Sequence, residues 1–268
     1  NRYWIRRLRR EHPGARLAVT GCYVEKNRKE LQTMPEIDLI FSNQEKAGLA
    51  EQLLQDADRG IMPGPLPEDN FLPLSISRAE GHTRAFVKIQ DGCDHSCSYC
   101  KVSIVRGRSR SRPLADIRDE VIRLRDSGYR EIILTGIQLG AYGRDLGKFC
   151  LTDVFELCSG IDGIERVRLS SIELTDLSRP VRDALRDIPK LCPHLHIPLQ
   201  SGDNEILKKM NRKYSREDYR DLVFELKERL PDFSLSVDVM AGFPGETEGQ
   251  FERTAELLRE VKPLKTHV

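Results

Sequence analysis

Residues 85–100 read Ala85-Phe-Val-Lys-Ile-Gln-Asp-Gly-Cys93-Asp-His-Ser-Cys97-Ser-Tyr-Cys100. The β-branched and aromatic run predicts a strand over Ala85–Gln90, and the polar residues after it predict a loop. That loop carries three thiols at the spacing C-x3-C-x2-C. Three thiolates on one short loop can ligate three irons of a 4Fe–4S cube, leaving the fourth iron without a protein ligand from this motif. An open iron can chelate the amino and carboxylate groups of a substrate. A structural zinc site and three unrelated thiols are the competing readings. Zinc commonly takes four ligands, as a CxxC pair matched by a second pair. No second pair occurs in this sequence, and His95 is too tightly placed within the loop to complete a tetrahedron comfortably.

Downstream of the loop, apolar runs and amphipathic stretches alternate. Strands are expected at Glu131–Thr135, Arg166–Ser170, His194–Leu199 and Leu235–Met240, with a further one beginning near Lys265. Helices are expected at Leu114–Ser127, Thr152–Ser159, Ser178–Ile188, Asn204–Met210, Arg216–Leu230 and Glu248–Glu260. Repeated βα units imply a parallel sheet with helical crossovers, here a partial or complete TIM-like βα barrel. The functional loops of such a barrel follow the C-terminal ends of its strands.

Upstream, residues 1–58 read as a small α/β unit. A basic helix (Arg2 to Arg10) precedes the apolar stretch Leu17-Ala-Val-Thr20, and Cys22 opens another helical run. A second strand is expected at Ile37–Phe41 and a closing helix from Lys46 to Leu54. Four prolines and three glycines within residues 59–82 predict a linker, with the barrel domain at 83–268.

Composition narrows the class. Apolar residues make up 39% and charged residues 32%, which describes a globular rather than a disordered chain. Lys and Arg total 43 against 42 for Asp and Glu, so only local clusters can speak for nucleic acid. No apolar run approaches bilayer length and no signal-peptide pattern opens the chain. The expected location is the cytoplasm, with no membrane partner. Seven cysteines, three crowded into eight residues, suit metal binding better than a disulfide framework. The chain starts without Met and stops as a strand begins, so a fragment is expected.

The cysteine triplet, with an aromatic residue before the third Cys, resembles the radical S-adenosylmethionine superfamily. Further stretches are similar to its methylthiotransferase branch. They are Gln90 through Arg112, Leu134-Thr-Gly-Ile-Gln-Leu-Gly-Ala-Tyr-Gly143, His196-Ile-Pro-Leu-Gln-Ser-Gly202 with Met210-Asn-Arg-Lys213, and Asp238 through Thr247. Thr20-Gly-Cys-Tyr23 extends the resemblance into the first unit. The Leu-Thr-Gly form is nearest the subgroup acting on threonylcarbamoyladenosine in tRNA. Related subgroups modify isopentenyladenosine in tRNA or an aspartate of a ribosomal protein. A catalytically incomplete fragment that binds metal is the reading from another class.

The resemblance implies a radical enzyme that uses S-adenosylmethionine and two 4Fe–4S clusters, with tRNA as substrate and an external electron donor. It assigns the first cluster to Cys93, Cys97 and Cys100, and makes Cys22 one of three ligands of an auxiliary cluster, the other two expected upstream of Asn1. Its other candidates lie at expected strand ends. Thr135 and Gly136 would meet the methionine amino group of the cofactor, Ser171 and Glu173 its ribose or ammonium, Gln200 the cofactor or substrate, and Gly242 the adenine. A plain turn, or a solvated Glu173, explains some of these equally. His196 reads as structural, and Cys150, Cys158 and Cys192 as core residues. Arg106, Arg108, Arg110 and Arg112 could neutralise RNA phosphates, or could be solvated or paired with acidic residues.

Overall fold

Leu17–Thr20 and Ile37–Phe41 are too short to form anything but a minimal sheet, and they do so in a computed structural model that describes residues 1–43, 45, 46, 49, 50, 71 and 83–268. Strands β1 (Ala18–Thr20) and β2 (Leu39–Phe41) pair in parallel, Ala18 opposite Leu39 and Thr20 opposite Phe41. Helix α1 (Arg2–Glu11) precedes β1, and α2 (Cys22–Leu31) follows it. Ile5, Val24, Leu31, Met34 and Ile40 form a separate small core. Most of the helix expected over Lys46–Leu54, and the linker expected over 59–82 apart from Phe71, lie outside the described residues.

The chain divides into two compact units, Asn1–Leu74 with Lys101–Gly107, and Ser75–Cys100 with Arg108–Val268. Sequence pattern alone places the short helix α3 (Val102–Arg106) with the barrel, but its contacts group it with the first unit.

In the second unit, six parallel strands form an arc. They are β3 (Ala85–Lys88), β6 (Glu131–Thr135), β7 (Arg166–Leu169), β8 (His194–His196), β9 (Ser234–Asp238) and β10 (Lys265–His267). β3 pairs with β6, and β6 with β7. Single bridges at Val167–Leu191 and Ser171–His196 join β7 to β8. β8 then pairs with β9, and β9 with β10. Among the described residues β3 and β10 do not pair, so this is a partial barrel. The two remaining strands, β4 (Gln90–Asp91) and β5 (Arg110–Ser111), make a small antiparallel ribbon that closes the base of the cysteine loop.

The crossovers are α4 (Leu114–Asp126), α5 (Leu151–Ser159), α6 (Arg179–Asp187), α7 (Asn204–Lys209) with α8 (Arg216–Arg229), and α9 (Glu248–Val261). Strand residues such as Val87, Ile132, Leu134, Val167, Leu195 and Val237 are buried beneath helix residues such as Ile117, Val154 and Leu257. Sheets buried on both faces need such continuous apolar runs. Among the described residues, no helix is long and apolar enough to cross a membrane.

Candidate functional site

The three cysteines lie in the loop after β3 and β4, at the strand ends where barrel sites form. All three are half-buried free thiols. Gln90, fully buried, organises the entry to the loop. Its Nε2 donates to the carbonyls of Asp91 and Gly92 and to Ser109 Oγ, at 2.9–3.0 Å. Its Oε1 accepts from the amides of Ile137 and Gln138, at 2.9 and 2.7 Å. One side chain thereby ties the cysteine loop to the loop after β6.

Gln138 continues the link. Its Oε1 accepts from the Asp94 amide at 3.3 Å and lies 3.5 Å from Cys93 Sγ. Its Nε2 is 2.6 Å from His95 Nε2. On the far side, the segment after α7 holds the loop. Ser98 N and Oγ donate to the carbonyls of Met210 and Lys209, and Asn211 Nδ2 donates to Ser96 O and Oγ at 2.8 Å. Arg212, nearly fully buried, points its guanidinium at Cys97 Sγ and the Tyr99 hydroxyl, each 3.5 Å away, and pairs with both oxygens of Glu173.

The thiols are not equivalent. Burial pushes the Cys93 thiol up. Cys97 is held below the usual thiol range, chiefly by its hydrogen bond with His95, against a burial effect and with help from Arg212. His95 is raised in return, first by that same hydrogen bond. Burial pushes the Tyr99 phenol up to about 12, so it stays protonated. Thiolate is the ligand form, and a positive neighbour favours it.

Three free thiols on one loop are the soft donor set that holds an iron–sulfur cluster. Among the described residues, the one group of His, Cys or carboxylate ligands whose atoms all lie within 4.8 Å of one another is His196, Asp238 and His267. His196, Asp238 and His267 sit at the ends of β8, β9 and β10. His196 Nε2 is 3.0 Å from Asp238 Oδ1, and its ring stacks on His267. His196 is thus a half-buried residue of the barrel mouth rather than of the core.

The other expected residues are placed unevenly. Thr135 ends β6, and its Oγ1 donates to Val87 O. A Cβ on Gly136 would come within 2.9 Å of Gln90 Oε1, so the close neighbour of this glycine is Gln90. Ser171 is exposed at the β7–β8 bridge. Gln200 sits at a left-handed φ of 64°, which costs a non-glycine residue free energy and is commonest at functional turns. Gly242 is exposed, with φ +73° and its amide donating to Glu246.

Both oxygens of Glu173 pair with Arg212, which anchors the carboxylate beside the cysteine loop. Two expectations need correction. Arg112 is 3% exposed and forms a buried ion pair with Glu120, which withdraws it from any RNA surface. Of the other three arginines, Arg108 is exposed and Arg106 and Arg110 are half-buried. Cys150 is exposed at the start of α5, unlike the buried Cys158 and Cys192. In the first unit, Cys22 begins α2 after Gly21, and Asn43 Nδ2 lies 3.8 Å from its sulfur and 3.2 Å from Val105 O.

Sequence reasoning overlooked Gln138 and Arg212 as parts of the site. Arg212 lies 115 residues from Cys97, a separation that no local spacing can disclose.

The family model described as the Radical SAM superfamily matches residues 87–258. Among curated relatives, threonylcarbamoyladenosine tRNA methylthiotransferase MtaB of Thermotoga maritima is 35% identical over 265 residues, covering 98% of this chain and 61% of that protein. MtaB of Bacillus subtilis is 36% identical, covering all of this chain and 60% of its own length. The tRNA-2-methylthio-N(6)-dimethylallyladenosine synthase of Clostridium tetani is 38% identical, at 96% and 58% coverage. The chain thus spans about 60% of the length of these relatives. Among solved structures, the cobalamin-dependent radical enzyme OxsB with S-adenosylmethionine bound superposes with a TM-score of 0.62 at 12% identity, over 90% of this chain and 38% of that one. The radical methyltransferase TsrM of Kitasatospora setae gives 0.56 at 19% identity, over 68% and 35%. At such identities the likeness concerns the fold alone.

Proposed function

Because the chain belongs to the radical SAM superfamily, we propose that it serves a tRNA methylthiotransferase acting on N6-threonylcarbamoyladenosine beside the anticodon, where C2–H gives way to C2–SCH3. The observation that carries this reading is a half-buried triplet of free cysteines at the strand ends of a partial barrel. Similarity to MtaB proteins over almost the whole chain supports it.

Cys93, Cys97 and Cys100 would hold a 4Fe–4S cluster, which would supply the electron for reductive cleavage of S-adenosylmethionine. The chain's own residues bind, orient and exclude. Gln90, Gln138 and Asn211 fix the cysteine loop from two sides, so ligand positions are set before any cofactor arrives. Thr135, Ser171, Gln200 and Gly242, at or beyond the ends of their strands, are assigned to the cofactor, with Gly136 shaping the turn beside them. Cys22 is assigned to an auxiliary cluster that would hold the sulfur to be transferred, a role one cysteine does not complete. Arg108 is the arginine of its group best exposed to meet RNA phosphate. An external reductant is required, since none of these residues supplies an electron.

A second reading is favoured by the comparable identity of the dimethylallyladenosine synthases, 36–39%. The experiment is nucleoside mass spectrometry of tRNA from cells lacking the gene. Loss of 2-methylthio-N6-threonylcarbamoyladenosine is expected. Loss of the 2-methylthio-isopentenyl nucleoside instead would move the substrate to the second reading, and unchanged methylthio nucleosides would defeat both.

A further inference from the structure

Arg212 is a buried cation in contact with a cysteine of the triplet. It sits just past the end of α7, and its side chain is spread over fixed partners. Nε donates to the Tyr214 hydroxyl at 3.1 Å, and the guanidinium carbon lies 5.0 Å from the centre of that ring. Tyr214 is itself held, donating to the carbonyls of Pro198 and Leu199. The two terminal nitrogens pair with Glu173, and one of them also reaches Cys97 Sγ and Tyr99 Oη.

We propose that Arg212 is a redox-positioning residue, which donates to the Cys97 sulfur and holds the reduction potential of the bound cluster up, with Glu173 as the counter-charge that limits the effect. This rests on the cluster assignment made above. The physical argument has three parts. Cluster potentials respond to net charge, to hydrogen bonds to the ligand sulfurs and to solvent exposure. Arg212 contributes the first two at once, at 3.5 Å from a sulfur and with its side chain 3% exposed, where water screens little. A guanidinium cannot shed its proton, so the charge persists in both oxidation states.

The direction follows from the electron count. Reduction adds one negative charge to the cluster and its thiolates. The fixed positive guanidinium stabilises that charged state more than the oxidised one, which raises the potential. Glu173 has the opposite sign, and the Arg212 nitrogen that reaches Cys97 Sγ at 3.5 Å also donates to Glu173 Oε1 at 3.2 Å. The pair is therefore a dipole with its positive end toward Cys97. An arrangement that served only to hold the loop would not need a charge there, since Asn211 and Ser98 already tether it by neutral hydrogen bonds.

The test is an anaerobic redox titration of the reconstituted protein, without S-adenosylmethionine, followed by the EPR signal of the reduced cluster. The variants are Arg212→Gln, Arg212→Lys and Glu173→Gln, with iron and sulfide counted on each. Arg212→Gln is expected to lower the reduced-to-oxidised ratio at a fixed potential about tenfold, which is a fall of about 59 mV for one electron. Glu173→Gln is expected to shift it the opposite way, and Arg212→Lys to retain part of the wild-type value. Opposite signs are the signature, because a merely structural role gives no shift or shifts of one sign. Equal potentials, or falls in both Arg212→Gln and Glu173→Gln, would overturn the proposal. Should Arg212→Gln fail to hold iron, the rise expected in Glu173→Gln decides. A wild-type protein that takes up no 4Fe–4S cluster would overturn the cluster assignment itself, a result distinct from a cluster whose potential ignores Arg212.

Discussion

Cys97 differs from Cys93 in what surrounds it. His95 and Arg212 both favour the Cys97 thiolate, whereas Cys93 is pushed up by burial. Cys97→Ala should therefore remove a ligand whose neighbours favour its ligating form. The expected outcome is loss of most bound iron and at least a hundredfold less 5′-deoxyadenosine, roughly 2.7 kcal/mol in barrier terms, read by iron assay and chromatography. Arg112 makes a contrasting case. It shares a loop with Arg108 but pairs with Glu120 inside the barrel wall, and Tyr142 donates to its carbonyl. Glu120→Ala removes that counter-charge from the barrel wall and should cost about 3–5 kcal/mol in urea unfolding, while Arg108→Ala should leave the midpoint within experimental error. The sequence places both arginines on one basic stretch, because alternation of Arg with small residues says nothing about which side chain turns inward. The triplet was legible since all its ligands lie within eight residues. Arg212 was not, since its role exists only once α7 packs against the loop.

At the scale of elements, the turn from β8 into α7 depends on Asp203. Its carboxylate accepts from the amides of Glu205 and Ile206, at 3.1 and 3.0 Å, and from Arg253 Nε at 2.6 Å. This is an N-cap joined to a salt bridge from α9. Burial alone would raise the Asp203 pKa, but the helix amides and Arg253 outweigh it and hold it below the usual carboxylate range. A depressed folded-state pKa means stability that is fully present above the unfolded value and is lost as pH falls through the folded one. Asp203→Ala should cost about 0.5–2 kcal/mol at neutral pH. That difference should stay flat down to the usual range near 3.8 and shrink below it, measured by urea unfolding across pH. Next to it, Gly202 approaches the backbone of α9 so closely that an added Cβ would lie 2.7 Å from Thr254 Cα. Gly202→Ala is expected to destabilise by about 1–3 kcal/mol, the usual cost of overpacking, with a matching drop in urea midpoint. Strand and helix order in the second unit followed from periodicity, as the matched positions of β6 (Glu131–Thr135) and α8 (Arg216–Arg229) show. The ribbon of β4 and β5 did not, because two-residue strands carry no period to detect.

Across the whole molecule, six parallel strands bring residues from the loop at 93–100, from the turn at 136–138 and from 211–214 to one end of the arc. Alternation of βα units points to that end for a candidate site, since parallel strands all deliver their C-termini to the same side. It did not foretell that residues 101–107 leave for the first unit, because a five-residue helix looks the same in either neighbourhood. The account stands or falls on what the cysteine triplet holds. The direct measurement is anaerobic reconstitution of the protein with iron and sulfide, followed by metal and sulfide analysis and assay of S-adenosylmethionine cleavage under a strong reductant. The account predicts about four iron and four sulfide assigned to Cys93, Cys97 and Cys100, lost when all three are changed to Ala, and 5′-deoxyadenosine formed only while they are intact. One zinc per chain with no sulfide, or 5′-deoxyadenosine that persists in the triple variant, would contradict it.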